Sequence, residues 1–176
     1  KEKNLYRMAF ERGHPKGKLE DLGKINNRRG TTVRFKPDPD IFGAKAAFKP
    51  QRLFTMARSQ AYLFGGVKIR WRCAPELLKG VEDVPPEDTF HFPGGLKDYL
   101  AAAIHADTLV HQDIFSGKSG RSGAHGACEW AVAWTADADG FLSSYTNTVP
   151  TPDGGTHESG LRSALLRGLK DHAERA

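Results

Sequence analysis

Residues 147–176, NTVPTPDGGTHESGLRSALLRGLKDHAERA, carry the tightest local instruction in the chain. Pro150, Pro152 and the pair Gly154-Gly155 interrupt regular structure, and a helical repeat begins directly after them. Proline fixes φ and removes a donor, and glycine tolerates left-handed backbone, so the chain turns here before it can coil. Thr156 is the expected N-cap, because its hydroxyl can accept a free backbone N–H. Glu158 falls in the first turn, where its charge suits the helix dipole. Leu161, Leu165 and Leu169 share one face, with Arg167, Lys170, Asp171 and Glu174 opposite. Arg162 stands apart, at the edge of the apolar sector between Leu169 and Leu166. An arginine there either snorkels over apolar surface or presents its charge to a groove or cavity.

Upstream, the periodicities predict short mixed elements. Residues 4–11, NLYRMAFE, alternate as a strand, and a polar, turn-rich stretch follows. Residues 30–38, GTTVRFKPD, read as a second strand that pairs with the first in antiparallel fashion, with Val33 and Phe35 on one face and Pro37 as the stop. A helix over 50–64 starts on Pro50, buries Leu53, Phe54, Ala57, Ala61 and Phe64, and ends at Gly65-Gly66. The next strand, VKIRWRC, sets Val67, Ile69 and Trp71 against a basic face. Pro85-Pro86 break the pattern, and a domain boundary is placed near residues 85–92. A short strand and a helix follow, with Leu96, Tyr99, Leu100, Ala103 and Ile104 as the buried stripe. SGKSGRSGAHG, 116–126, reads as a flexible basic loop, and ACEWAVAWT as a strand with Trp130, Val132 and Trp134 on one face. DADG is a tight turn, and FLSSYTNTV the returning strand.

Bulk numbers exclude little. The 176 residues, 39% hydrophobic, suffice for one ordinary core or pieces of two small domains. A formal charge of +5 permits nucleic-acid contact without requiring it. Cys73 and Cys128 are far apart, fall in apolar surroundings, and read as core thiols in a reduced compartment. No run is long enough for a membrane helix. LYRMAFERG reads as a strand already in progress and KDHAERA as a helix without a stop signal, so the chain reads as a fragment of something longer.

No catalytic constellation and no metal site emerge from spacing. Asp38 and Asp40, flanked by prolines, read as a turn; His91, His105, His111 and His125 lack ligand spacing. His157, near a helix N-terminus, suits a neutral hydrogen-bonding role. SGKSGRSG lacks the glycine spacing of a phosphate-binding P-loop. Pattern alone supports a mildly basic α/β chain of two modules.

Three stretches add a family resemblance. YTNTVPTPDGGTHESGLRSALLRGL, Tyr145 to Leu169, resembles the signature of bacterial type II topoisomerase B subunits. FERGHPKGKLEDLGKINNRRGTTVRFKPDPDIF, Phe10 to Phe42, resembles the stretch after that family's ATP lid, and FHFPGGLKDYL, Phe90 to Leu100, the start of its transducer. They occur in family order and cover nearly all of the chain. The wording WTADADGFLSSYTNTVPTPDGGTHE is more similar to topoisomerase IV than to gyrase.

The resemblance implies an α/β (α+β) fold: residues 1–88 as the C-terminal part of a GHKL-type ATPase domain, and 89–176 as the first part of a ribosomal-S5-like transducer. It implies a left-handed βαβ crossover over residues 127–175. It also implies, for the intact protein, ATP with Mg²⁺, ATP-dependent homodimerisation, a topoisomerase A subunit as partner in an A2B2 heterotetramer, and double-stranded DNA, in the bacterial cytoplasm at the nucleoid. The activity implied is strand passage coupled to ATP hydrolysis, with decatenation and relaxation. Thr31 and Val33 match residues at the adenine pocket and would also meet aminocoumarin inhibitors. Arg162 matches an arginine facing the transported duplex. Gly154, Gly155, Thr156 and His157 match the family turn, a structural hinge. The family's catalytic Glu, Mg²⁺-binding Asn and lid match nothing in this sequence, so the fragment itself is expected to be inactive and to bind nucleotide poorly. Alternatives are a gyrase B subunit that supercoils DNA, a nucleic-acid-binding module without ATPase ancestry, and a mismatch-repair or chaperone relative.

Overall fold

The computed structural model describes residues 3–27, 29–104, 109–120, 126–136 and 140–175. It divides into two compact units, Lys1–Phe48 and Lys49–Ala176. The boundary expected near 85–92 lies within the second unit.

In the first unit, β1 (Asn4–Arg7) runs antiparallel to β4 (Glu20–Lys24), with Tyr6 opposite Asp21 and Arg7 opposite Glu20. Between them, β2 (Phe10–Glu11) and β3 (His14–Pro15) form a tight hairpin. Its two central residues, Arg12 and Gly13, have φ of 51° and 82°, the backbone a two-residue hairpin turn requires. The single strand expected over 4–11 is thus broken in two, and its partner is the polar segment 20–24 rather than 30–38. Cross-strand polar pairs favour this register: Arg7 meets Glu20 at 2.8 Å, and the Asn4 amide donates to Asp21 at 2.8 Å. Residues 29–38 form no ladder. Pro37 and Pro39 cannot donate to one. The segment ends in α1 (Pro39–Phe42), capped by the Asp38 carboxylate, which accepts from the Asp40 N–H.

In the second unit, α2 (Pro50–Leu63) starts on the expected proline. Gly66, φ +88°, supplies the left-handed turn after it. β5 (Lys68–Arg72) pairs with β6 (Glu87–His91) over five residues in continuous register. α2 packs on this ladder. Phe54 meets Trp71 and Phe90 edge-on, with centroids 5.5 and 5.0 Å apart, and the Trp71 indole N–H donates to the Pro85 carbonyl at 2.9 Å. Aromatic rings gain most in such edge-on contacts, and an indole N–H removed from water needs an acceptor. The Pro85-Pro86 break therefore closes a hairpin around the core.

α3 (Leu96–Ala103) packs against α2 and against β7 (Phe115–Ser119) and β8 (Cys128–Val132), an antiparallel pair. The basic stretch expected as a loop from residue 116 is thus a strand as far as Ser119. Gly117 allows it: a Cβ there would stand 2.6 Å from the Trp130 ring. Residues 121–125, including His125, lie outside the described residues, as do His105 and most of the DADG turn. FLSS does not return along β8. β9 (Tyr145–Thr146) pairs with β10 (Val149–Pro150) instead, in a hairpin of its own. α4 (Thr156–Ala173) completes the unit. Every strand pair among the described residues is antiparallel, and no strand follows α4. The left-handed crossover expected over 127–175 is therefore not formed, since a βαβ unit needs a second, parallel strand after its helix.

The core of the described residues is Ala61, Tyr62, Val84, Phe90 and Ile114. Phe64, expected in the buried stripe, is 52% exposed, and Tyr62 takes its place. Both cysteines are free, but Cys128 is exposed rather than a core thiol.

Candidate functional site

The turn into α4 builds a connected polar site. Asn147 and Thr148 form the β9–β10 turn, with φ of 48° and 68°. The hairpin brings Ser144 and Thr151 together: the Thr151 N–H donates to the Ser144 carbonyl at 2.8 Å, and their hydroxyls lie 2.7 Å apart. Thr151 Oγ1 shares a hydrogen bond of 3.2 Å with Nε2 of His157. Glu158 reaches Ser144 Oγ at 3.5 Å through one carboxylate oxygen and accepts from Arg162 Nε at 3.1 Å through the other.

The glycines leave room for this arrangement. Gly154 has φ +74°, and a Cβ there would stand 3.1 Å from the Glu158 carboxylate. A Cβ on Gly155 would stand 2.8 Å from the His157 ring. Gly155, not Thr156, is the N-cap, and no side chain caps the helix. Its carbonyl accepts from the N–H groups of Glu158 and Ser159, each at 3.1 Å. Thr156 is the first helical residue. A cleft of about 240 Å³ opens here, lined by Leu142, Pro150, Pro152 and Glu158 among others.

Arg162 projects from α4 with its side chain 65% exposed, one turn beyond Glu158. Leu161 and Leu165 are half-buried, whereas Leu169 is exposed. The arginine is therefore neither buried nor laid over a closed apolar face. It is held by a carboxylate that is itself partly shielded.

In the first unit, Thr31 and Val33 lie on the extended segment before α1. Val33 is 77% exposed, so these residues offer one edge of a pocket and enclose nothing by themselves. Past them, Arg12 clasps Asp38 at 2.6 Å and also pairs with Asp40. The Asp40 N–H, and then Arg12, hold the Asp38 carboxyl below its usual range; Asp38 and Asp40 in turn raise Arg12. Asp38 and Asp40 serve as a helix cap and an ion-pair clasp, a firmer role than a plain turn. Among the described residues, no group of three or more His, Cys, Asp or Glu side chains has the geometry to hold a metal. The residues present do not suffice to hold a nucleotide–Mg²⁺ complex, and no chemical step is derived through one.

Sequence reading missed a tyrosine cluster. Tyr62, Tyr99 and Tyr145 come from α2, α3 and β9, and their rings pack together. The signal for Tyr62 was present: it lies eight residues after Phe54, on the same helical face.

Known proteins resemble this chain along its whole length. A family model described as DNA gyrase B matches residues 95–176, beginning one residue before α3. The B protein of DNA topoisomerase 4 from Bartonella bacilliformis is 53% identical over 174 residues, covering 99% of this chain and 25% of that protein. Its Caulobacter vibrioides counterpart is 52% identical over 171 residues, covering 95% and 24%. The chain thus spans about a quarter of the length of the relatives it matches. Among solved structures, the 43K ATPase domain of Thermus thermophilus gyrase B, in complex with an aminocoumarin, superposes with a TM-score of 0.77 at 29% identity, over 99% of this chain and 45% of that one. The topoisomerase IV ATP-binding domain of Francisella tularensis shares the fold with a TM-score of 0.68 at 24% identity, over 98% of this chain and 44% of that one.

Proposed function

Because the chain belongs to the bacterial type II topoisomerase B-subunit family, as part of the ATPase and transducer region of topoisomerase IV, we propose that it transmits ATP-driven gate closure to a DNA duplex in transit. On this reading residues 1–88 belong to the ATPase domain and 89–176 to the transducer. The whole protein binds ATP with Mg²⁺, dimerises on doing so, and works with a topoisomerase A subunit on double-stranded DNA in the bacterial cytoplasm. The observation that carries the reading is the likeness to topoisomerase IV B subunits over nearly the full chain. It includes the turn and helix that form the polar site.

Each site residue takes a role its geometry permits. Thr31 and Val33 contribute one edge of the nucleotide pocket: the threonine hydroxyl can donate or accept toward a base edge or a bridging water, and the valine supplies apolar contact. The same edge is where an aminocoumarin would lie. Gly154, Gly155, Thr156 and His157 shape the hinge that aims α4. Arg162, exposed and held by a single carboxylate, exchanges that partner for a backbone phosphate, a contact that positions DNA without reading its sequence.

The deciding experiment reconstitutes the full-length protein with its A-subunit partner and measures ATP-dependent decatenation and supercoiling. Strong decatenation with relaxation is expected. Efficient negative supercoiling would reassign the activity to gyrase. Neither activity, with a partner proven active, would overturn the proposal.

A further inference from the structure

The tyrosine cluster lies outside the polar site but adjoins it. Tyr62 is 4% exposed. Its ring stacks on Tyr99 with centroids 3.8 Å apart and planes at 24°, and meets Tyr145 edge-on at 6.0 Å. Phe92 closes the cluster, 6.0 Å from Tyr62. The hydroxyls of Tyr62 and Tyr145 meet in a hydrogen bond of 2.5 Å across 83 residues of sequence. Arg58 sits over the Tyr99 ring, 5.6 Å from its centroid.

This contact joins parts of the chain that sequence keeps far apart. Tyr62 belongs to the last turn of α2. Tyr145 follows Ser144 directly, and Ser144 begins the hydrogen-bond chain through Thr151 and His157 and reaches Glu158. A buried phenol hydroxyl without a partner is costly, so the two hydroxyls hold each other strongly. Movement of α2 is thereby imposed on the hairpin and on the first turn of α4.

We propose that the Tyr62–Tyr145 pair is a coupling contact, tying α2 to the hairpin that aims α4 and Arg162. The proposal rests on the functional reading above, in which α2 belongs to the ATPase part and α4 to the transducer. The two tyrosines are positioning residues and touch neither nucleotide nor DNA. Their rings provide packing; the paired hydroxyls provide the directional link.

The test uses Tyr62→Phe, Tyr145→Phe and the double variant in the full-length protein with its A-subunit partner. Phenylalanine keeps the rings and removes the hydroxyls. The readout is decatenation per ATP hydrolysed, with DNA-independent hydrolysis as the reference and the thermal midpoint to verify folding. Each single change is expected to lower the ratio about fivefold, the scale of one neutral hydrogen bond, with basal hydrolysis unchanged. The double variant is expected to be no worse than the more affected single, because both remove the same bond. An active wild type whose folded variants keep the ratio, or whose two effects simply add, overturns the coupling role alone. A wild type that neither hydrolyses ATP nor decatenates overturns the functional reading as well.

Discussion

At the scale of single residues, burial and close approach decide what each side chain does. Burial pushes the Tyr62 phenol above its ordinary 10.0, and the Tyr145 hydroxyl adds to the rise. The protonated phenol is the form favoured by folding, so its contribution is fully present below the unfolded value and is lost as pH rises beyond it. Unfolding curves from pH 9 to 11 are expected to show stability falling above about pH 10. Tyr62→Phe should flatten that fall, and identical slopes for the two proteins would contradict the assignment. Gly117 makes a different kind of point. It lies against the Trp130 ring, so Gly117→Ala forces ring or strand to move. A loss of about 1–3 kcal/mol is expected in denaturant unfolding, the usual scale of overpacking. A neutral substitution would mean that the β7–β8 pair is looser than its register implies.

At the scale of elements, the β9–β10 hairpin is tight and locally imperfect. Its turn needs positive φ at both central positions. Asn147 adopts this readily; Thr148, β-branched at φ +68°, does not. Thr148→Gly removes that conflict and is expected to stabilise the chain by about 1 kcal/mol, after allowing for the greater freedom of glycine in the unfolded state. Chemical denaturation reads this directly, and destabilisation would show that the threonine side chain makes a compensating contact. α4 begins with equal economy. Its cap residue, Gly155, has no side chain, and the polar atoms around the first turn serve the Ser144–Thr151–His157 chain instead. Orientation of the helix is favoured over its isolated stability.

At the scale of the whole molecule, the proposed role turns on one exposed cation. Arg162 pairs with Glu158 one helical turn away, a surface ion pair worth little on its own. A duplex phosphate can therefore displace the carboxylate at small cost. In the full-length protein, Arg162→Ala is expected to weaken DNA binding by similar factors on unrelated sequences and to reduce the slope of log K against log salt by about 1. It should also lower DNA-stimulated ATP hydrolysis, leaving the basal rate intact. Titration of labelled duplex at several salt concentrations reads the slope, and an unchanged slope would remove Arg162 from the DNA path. The same scale bears on Val33, Phe35, Ile41 and Phe42, each 66% to 77% exposed. On the proposed reading, the remainder of the full-length protein covers them.

Much of the helical architecture was legible in the residues. α2 begins at Pro50 and turns at Gly66, α3 and α4 fall where their apolar periods put them, and β5 shows its basic outer face. These features rest on hydrogen bonds and caps made within a few residues, so a short stretch of sequence contains their whole cause. The turn into α4 and its candidate residues were readable for the same reason, and the ordered motifs pointed to the family. Strand partnership was not readable. Period-2 alternation says that a segment pairs without saying with what, and β1 joined a polar segment that its charges could register against. Nor could wheel geometry choose between Phe64 and Tyr62 for the core, or assign the helix cap to Gly155 over Thr156. The Tyr62–Tyr145 bond and the Ser144–Glu158 approach are long-range consequences of how the elements pack. Local sequence determined which elements form, whereas tertiary packing decided which side chains meet, because contacts between distant residues depend on the positions of every element between them.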